Sequence, residues 1–262
     1  ITSRGIGNGV SLIIMAGIIS RFPTFAANLF EGGRTGSVSP FTIVTVIGMI
    51  IVLILFICFV ERATRRLLIQ YPKRASAHGM MQADRSHLPL KLNTANVIPP
   101  IFASSLLLLP LTISQFAGNS ASTSSVFYTV VQTLNTLLQR GHPLYLGLYS
   151  VGIIFFTFFY TAVVFNPEET ADNLKKNGGF IPGIRPGKNT ATYLDYVLTR
   201  ITVVGAIYLT LVCVVPEYMV AQTGIQLFLG GTSLLIVVNV TVETISQIQS
   251  HLLAHQYGDL IK

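Results

Sequence analysis

Apolar residues along this chain fall into long blocks, at neither the period of two that marks a half-buried strand nor the 3.6 of an amphipathic helix. The blocks are Gly5 to Ser20, Phe41 to Val60, Ala95 to Phe116, Leu144 to Phe165, Ile201 to Val215 and Ile225 to Val242, and none has a charge inside its apolar core. Phe41 to Val60 is twenty residues and Leu144 to Phe165 twenty-two. An α-helix needs about 20 to cross about 30 Å of hydrocarbon. The third block carries Pro99, Pro100 and Pro110, and the last two are short and lean on flanking residues such as Val197, Leu198 and Ile245. Six spanning helices are predicted, and an all-α polytopic membrane protein with them.

Composition agrees with that solvent. The 262 residues are 51% hydrophobic and only 10% charged, with a mean hydropathy of +0.63, against roughly 25% charged in a soluble domain. Six crossings put both ends on one side. That side receives Arg4, the seven basic residues of 61–94 (Arg62, Arg65, Arg66, Lys73, Arg74, Arg85, Lys91), the five of 166–200 (Lys175, Lys176, Arg185, Lys188, Arg200) and Lys262. The other side receives Arg21, Arg34 and Arg140. The positive-inside rule makes the richer side cytoplasmic. The net charge of +7 then needs no nucleic acid to explain it, although so basic a face could meet anionic lipid or RNA. Cys58 and Cys213 are expected in opposite leaflets, too far apart to bridge. The chain starts at Ile1 with no signal-peptide pattern and reads as a piece of a longer membrane protein.

The organisation expected is 1–60, two spans with a short outer loop; 61–94, a basic cytoplasmic loop; 95–165, two spans with an outer loop; 166–200, an ordered cytoplasmic loop; and 201–262, two spans and a short tail. Loop 61–94 mixes basic pairs with apolar residues, a pattern of short extended segments and turns. Loop 166–200 opens on a helix signature: Asn166 as cap, Pro167 at the first helical position, Glu168 and Glu169 at the positive dipole end, Lys175 and Lys176 at the negative end, Gly178 as stop. Arg185 follows at the centre of a Gly- and Pro-rich tip. A capped, stiff loop implies a docking partner. Gly5 and Gly9 match a small-xxx-small packing face.

Ion-coupled transport wants an ionisable residue in mid-span, and no block has one. The histidines His78, His87, His142, His251 and His255 fall in loops or the tail, which argues against a helix-borne haem or metal pair. No phosphate-binding loop, Gly-x-Ser-x-Gly elbow or Cys-x-x-Cys pair is present, so neither an enzyme nor a cofactor is expected. A solute transporter with broken helices remains the alternative, pointed to by Asn8, Pro99, Pro100, Gly230 and Gly231.

"GIGNG" in the first block, "HLPLK" before the third, "IPPIFASS" within it, "FFYTAVVFNPEETADNLKK" closing the fourth, "IPGIRPG" in the next loop and "FLGGTSLLI" in the last carry a resemblance, in order, across essentially the whole chain. They resemble SecY, the channel subunit of the bacterial protein translocase, from the fifth to the tenth of its ten helices. The resemblance implies a plasma (inner) membrane pore for unfolded secretory polypeptides, sealed at its waist by aliphatic side chains. By motif position these are Val10, Ile14, Ile101 and Ile236. It implies a lateral gate walled by 95–116 and 144–165 and lined by Ser104, Ser105 and Leu109, through which membrane segments leave into lipid. It further implies docking of the motor ATPase SecA or the translating ribosome at Arg65, Arg66, Lys73, Arg74, Lys91 and Arg185. SecE, SecG and signal-bearing preproteins are the other partners it implies.

Overall fold

The glycine-rich start of the first block is a cap rather than a weak helix. Gly7 takes a positive φ of 91°, and the Asn8 side chain accepts a hydrogen bond from Val10 N at 3.1 Å. Helix α1, Gly9–Ile19, begins there. In this computed structural model, which describes residues 3–72, 75–76, 79–80, 85–118, 125–225 and 230–260, Gly5 therefore precedes the helix and is exposed. The Gly5/Gly9 packing face is not formed. Gly7 is the buried glycine instead, with Thr244 beside it.

Two connections expected to be loops contain helices. After Arg21 the chain continues as α2, Phe22–Arg34, where Phe25 and Leu29, one turn apart, bury a single face. Between the third and fourth blocks lies α5, Ser125–Leu137, tied to α4, Ile98–Gly118, by Ser114 Oγ and Asn135 Oδ1 at 2.7 Å. The Ser/Thr-rich run before α5 lies largely outside the described residues. In α4, Pro99 and Pro100 occupy the first turn, where a missing N–H costs nothing, and Pro110 is interior.

Helix α3, Pro40–Arg62, leads into an antiparallel hairpin. Strand β1, Thr64–Gln70, pairs with β4, Arg85–Lys91, in register from Thr64↔Lys91 to Gln70↔Arg85. Two-residue strands β2, Ala75–Ser76, and β3, Gly79–Met80, pair between them. Beyond α5 come α6, Pro143–Val164, α7, Pro167–Lys176, α8, Lys188–Thr223, and α9, Gly231–Leu260.

Helix α8 starts thirteen residues before the apolar block that announced it, so no boundary falls at 200/201. Its first part is amphipathic. Ala191, Leu194, Val197, Leu198 and Ile201 are buried, while Lys188, Asp195 and Arg200 lie on the exposed side. Helix α9 likewise continues through the supposed tail, and His251 and His255 stand one turn apart on it, exposed. Among the described residues no group of three or more His, Cys, Asp or Glu stands together as metal ligands.

Six helical segments are long and apolar enough to cross a membrane, the first being α1 with α2 and the fourth α6 with α7. Helix α4 packs on α6, where Ala103 would stand 3.3 Å from a Cβ on Gly152 and the Phe102 and Phe156 rings stack at 5.7 Å. Helix α1 packs on α9, and Gly7 N donates to Gln247 Oε1 at 2.7 Å. The first and last helices thus meet at one end of the bundle, the end that carries the hairpin: Glu61, Lys91 and Gln247 line one cavity of about 380 Å³ there.

The cysteines are not at opposite depths. Tyr208 of α8 bonds Glu61 at the end of α3. Cys58 and Cys213 are three and five residues from that bond on antiparallel helices, about 4.5 and 7.5 Å along their axes at 1.5 Å per residue. Both are free thiols.

Candidate functional site

The two basic loops are one body. Gln70 N donates to Phe180 O at 2.9 Å and Phe180 N to Gln70 O at 3.0 Å, joining the end of β1 to the segment after α7. Beneath this bridge Leu67 and Leu90 of the hairpin, Ala171 of α7, Ile181, and Ala191, Leu194, Val197 and Ile201 of α8 form a core separate from that of the helix bundle. Strand alternation sends Leu67 and Ile69 inward. Arg65 and Arg66 remain exposed.

The helix in this body is capped as its sequence requires. Asn166 Oδ1 accepts from Glu168 N at 3.1 Å and Glu169 N at 3.4 Å, and Gly178 stops α7 with a φ of 74°. At Gly179 an added Cβ would stand 2.9 Å from Tyr71 Cε1 and 3.2 Å from Ile69 Cγ2, so a side chain there would have to push Tyr71 aside. Beyond it Gly183 and Gly187, with φ of 85° and 105°, bracket Arg185. Thr190 Oγ1, in a side chain 2% exposed, donates to Arg185 O at 3.0 Å. The backbone of the tip is fastened while the guanidinium is exposed.

Of the other docking candidates, Lys91 is exposed at the base of β4 beside the cavity that also holds Glu61, Arg62 and Glu243. Lys73 and Arg74 lie outside the described residues.

The waist candidates occupy three helices. Val10 and Ile14, one turn apart on α1, are exposed, as is Ile101 in the first turns of α4. Ile236 on α9 is half-buried and packs against the bundle core. Helix α1 touches α9, while α4 packs chiefly on α5 and α6. Of the gate candidates, Ser104 and Ser105 both donate to Ile101 O, at 2.9 and 2.8 Å, and Leu109 is exposed.

One cluster was not foreseen. Asn93 Nδ2 donates to Glu61 Oε1 at 2.9 Å and to Asn96 O at 3.2 Å, and Tyr208 OH donates to the same Glu61 oxygen at 3.2 Å. Each residue alone reads as an ordinary interfacial polar group. The only sequence signal was the position of Glu61 and Asn93 at the two ends of the hairpin.

The SecY family profile matches residues 1–245. The protein translocase subunit SecY of Rickettsia typhi is 51% identical over the whole chain, and that of Escherichia coli K12 is 46% identical, again over the whole chain. The chain spans 59% and 58% of those relatives' lengths. Two solved structures share the fold. One, described as a protein-conducting channel, superposes with a TM-score of 0.62 over 95% of this chain and 60% of its own at 16% identity. The other, a SecY studied for its plug domain, gives 0.61 over 95% and 61%, also at 16% identity.

Proposed function

Because this chain belongs to the SecY family, a family of translocase channel subunits rather than enzymes, we propose that it forms part of the wall of a protein-conducting channel in the bacterial plasma membrane. Unfolded secretory chains pass between its helices and those of the remaining channel, and membrane segments leave sideways past α4 and α6. Val10, Ile14, Ile101 and Ile236 supply aliphatic groups to the waist, where bulky uncharged side chains exclude water around a moving chain. Ser104, Ser105 and Leu109 line the exit, small or apolar enough to part from a facing helix at little cost. Family membership favours this channel over the solute transporter.

The body formed by the hairpin, α7 and the Arg185 tip is on the cytoplasmic side in this reading, and it docks the motor SecA or the ribosome. SecE and SecG complete the complex, and anionic lipid lies against the basic surface. The single observation carrying the docking role is the Gln70–Phe180 bridge over a shared core, because it joins the strand that bears Arg65 and Arg66 to the segment that leads to Arg185. Lys91 adds charge to this body, and Lys73 and Arg74 belong to the same proposed docking set.

Replacement of Arg185 by Glu tests it. Arg offers a bidentate contact that Lys does not reproduce, and loss of a buried interfacial charge contact costs about 2–5 kcal/mol. In vesicles holding the complete complex, Arg185→Glu should leave insertion and subunit assembly intact and reduce motor-driven translocation by tenfold or more. Normal translocation would remove the docking role and leave Arg185 a topology determinant only.

A further inference from the structure

Glu61, Asn93 and Tyr208 have no part in the channel reading, yet they meet where the hairpin, α4 and α8 converge. Glu61 stands in the last turn of α3, and β1 begins three residues later. Asn93 follows β4 after a single intervening residue and opens the turn into α4. The base of the hairpin is closed between them by Leu92 N donating to Ala63 O at 3.2 Å. Asn93 holds the turn through its bond to Asn96 O, and Asn96 has a φ of 55°, a left-handed conformation that this bond helps to keep. On the other side α8 comes close at Gly205, where a Cβ would stand 2.7 Å from Leu92 O, and contributes the Tyr208 hydroxyl.

A brace built only for stability would satisfy its polar atoms. Asn93 is 3% exposed, yet its Oδ1 has no hydrogen-bond partner among the described residues. A buried unpaired acceptor raises the energy of this arrangement relative to any in which the amide shifts and pairs it. The unpaired acceptor therefore offsets part of what the three bonds of the cluster contribute. Its position decides what leaving it does: separation of Asn93 from Glu61 removes the side-chain tie between the end of α3 and the turn ahead of Ile98, the first residue of α4, while the Leu92–Ala63 bond still closes the hairpin base.

We propose that Glu61, Asn93 and Tyr208 are positioning residues that transmit movement of the docked hairpin to α4. With the bonds made, the start of α4 is fixed to α3 and α8. When a bound partner displaces the hairpin, Asn93 parts from Glu61, and the start of α4, which carries Ile101 and the Ser104–Ser105 pair, is released. A partner shifts such an equilibrium only by its differential affinity for the two arrangements, so the three residues affect gating more than docking. This inference rests on the docking and gating roles proposed above.

The complete channel, reconstituted in vesicles with its partner subunits, carries an environment-sensitive fluorophore on Ser105→Cys in a Cys58→Ala, Cys213→Ala background. Purified motor should change the emission. In Asn93→Ala, motor affinity should stay within about twofold of the parent while the emission change falls by roughly fivefold or more. Glu61→Ala should behave alike, and Glu61→Gln should retain most of the response, since its amide oxygen can accept from both Asn93 and Tyr208. Tyr208→Phe, which keeps the ring, gives an independent reading if Asn93→Ala does not assemble, with a loss of about twofold expected. A parental response in both Glu61→Ala and Tyr208→Phe would overturn the proposal. So would a parallel loss of motor binding and emission change, which marks a plain structural brace. A parent channel with no motor response at Ser105 would overturn the docking reading itself, and this inference with it.

Discussion

Helices α1 and α8 are both apolar enough for a bilayer and are treated in opposite ways by the fold. The most apolar 18 residues of the first span have a mean hydropathy of 1.7 with 6% of them buried, while those of α8 have 2.1 with 56% buried. Helix α3 is the most apolar, at 3.3, yet only 22% of its window is buried. Hydropathy therefore reports the solvent a helix tolerates and says little about its neighbours. In hydrocarbon a leucine gains nothing by turning inward, so burial is decided by close approach of backbones and by polar contacts. Helix α8 has both: Gly205 and Gly231 let backbone approach it, and Tyr208 anchors it. Helix α1 has a polar fastening just ahead of its cap and leaves Val10, Ile13 and Ile14 exposed.

The contrast breaks most severely at Gly231, where a Cβ would overlap Val212 O and approach Cys213 Cα. Backbone atoms cannot swing aside as a side chain can. Gly231→Val should prevent α8 and α9 from closing, and pulse-chase analysis should show the complete subunit degraded instead of accumulating. Normal accumulation would mean that α9 can stand off from α8. Next is Leu209, fully buried on α8: Leu209→Ala should cost about 2–5 kcal/mol through the cavity it leaves, read as a lowered midpoint of thermal unfolding in detergent. The smallest effect belongs to the matched change on α1. Ile13 is 72% exposed, and Ile13→Ala should alter stability by no more than about 0.5 kcal/mol in the same assay. A loss equal to that of Leu209→Ala would show that α1 is as tightly packed in the complete protein as α8 is here.

What could be read from the sequence divides along the same line. Six spans were legible because each is a local run, and the capping of α7 because Asn166, Pro167 and Gly178 act on their own neighbours. The first half of α8 was hidden because its buried positions recur with helical period among charged residues, so no apolar block marks them. Helices α2 and α5 were missed for the related reason that short amphipathic segments look like polar connections beside a spanning block. The turn geometry of the Arg185 tip was legible from its glycines and proline. The Gln70–Phe180 bridge and the Glu61–Asn93–Tyr208 cluster were not, since the partners lie far apart in the chain and none has a distinctive local pattern.

The bond between Gly7 and Gln247 closes a separation of 240 residues. At synthesis rates of about 5–20 residues per second, roughly 10–50 s pass between the making of its two ends. During that interval α1 has no α9 to rest on, and its exposed isoleucines and valine are available to any apolar surface in the nascent membrane. Within this chain α1 thus waits for α9, and a truncation before Gln247 would leave it without that fastening however well the intervening four spans had packed.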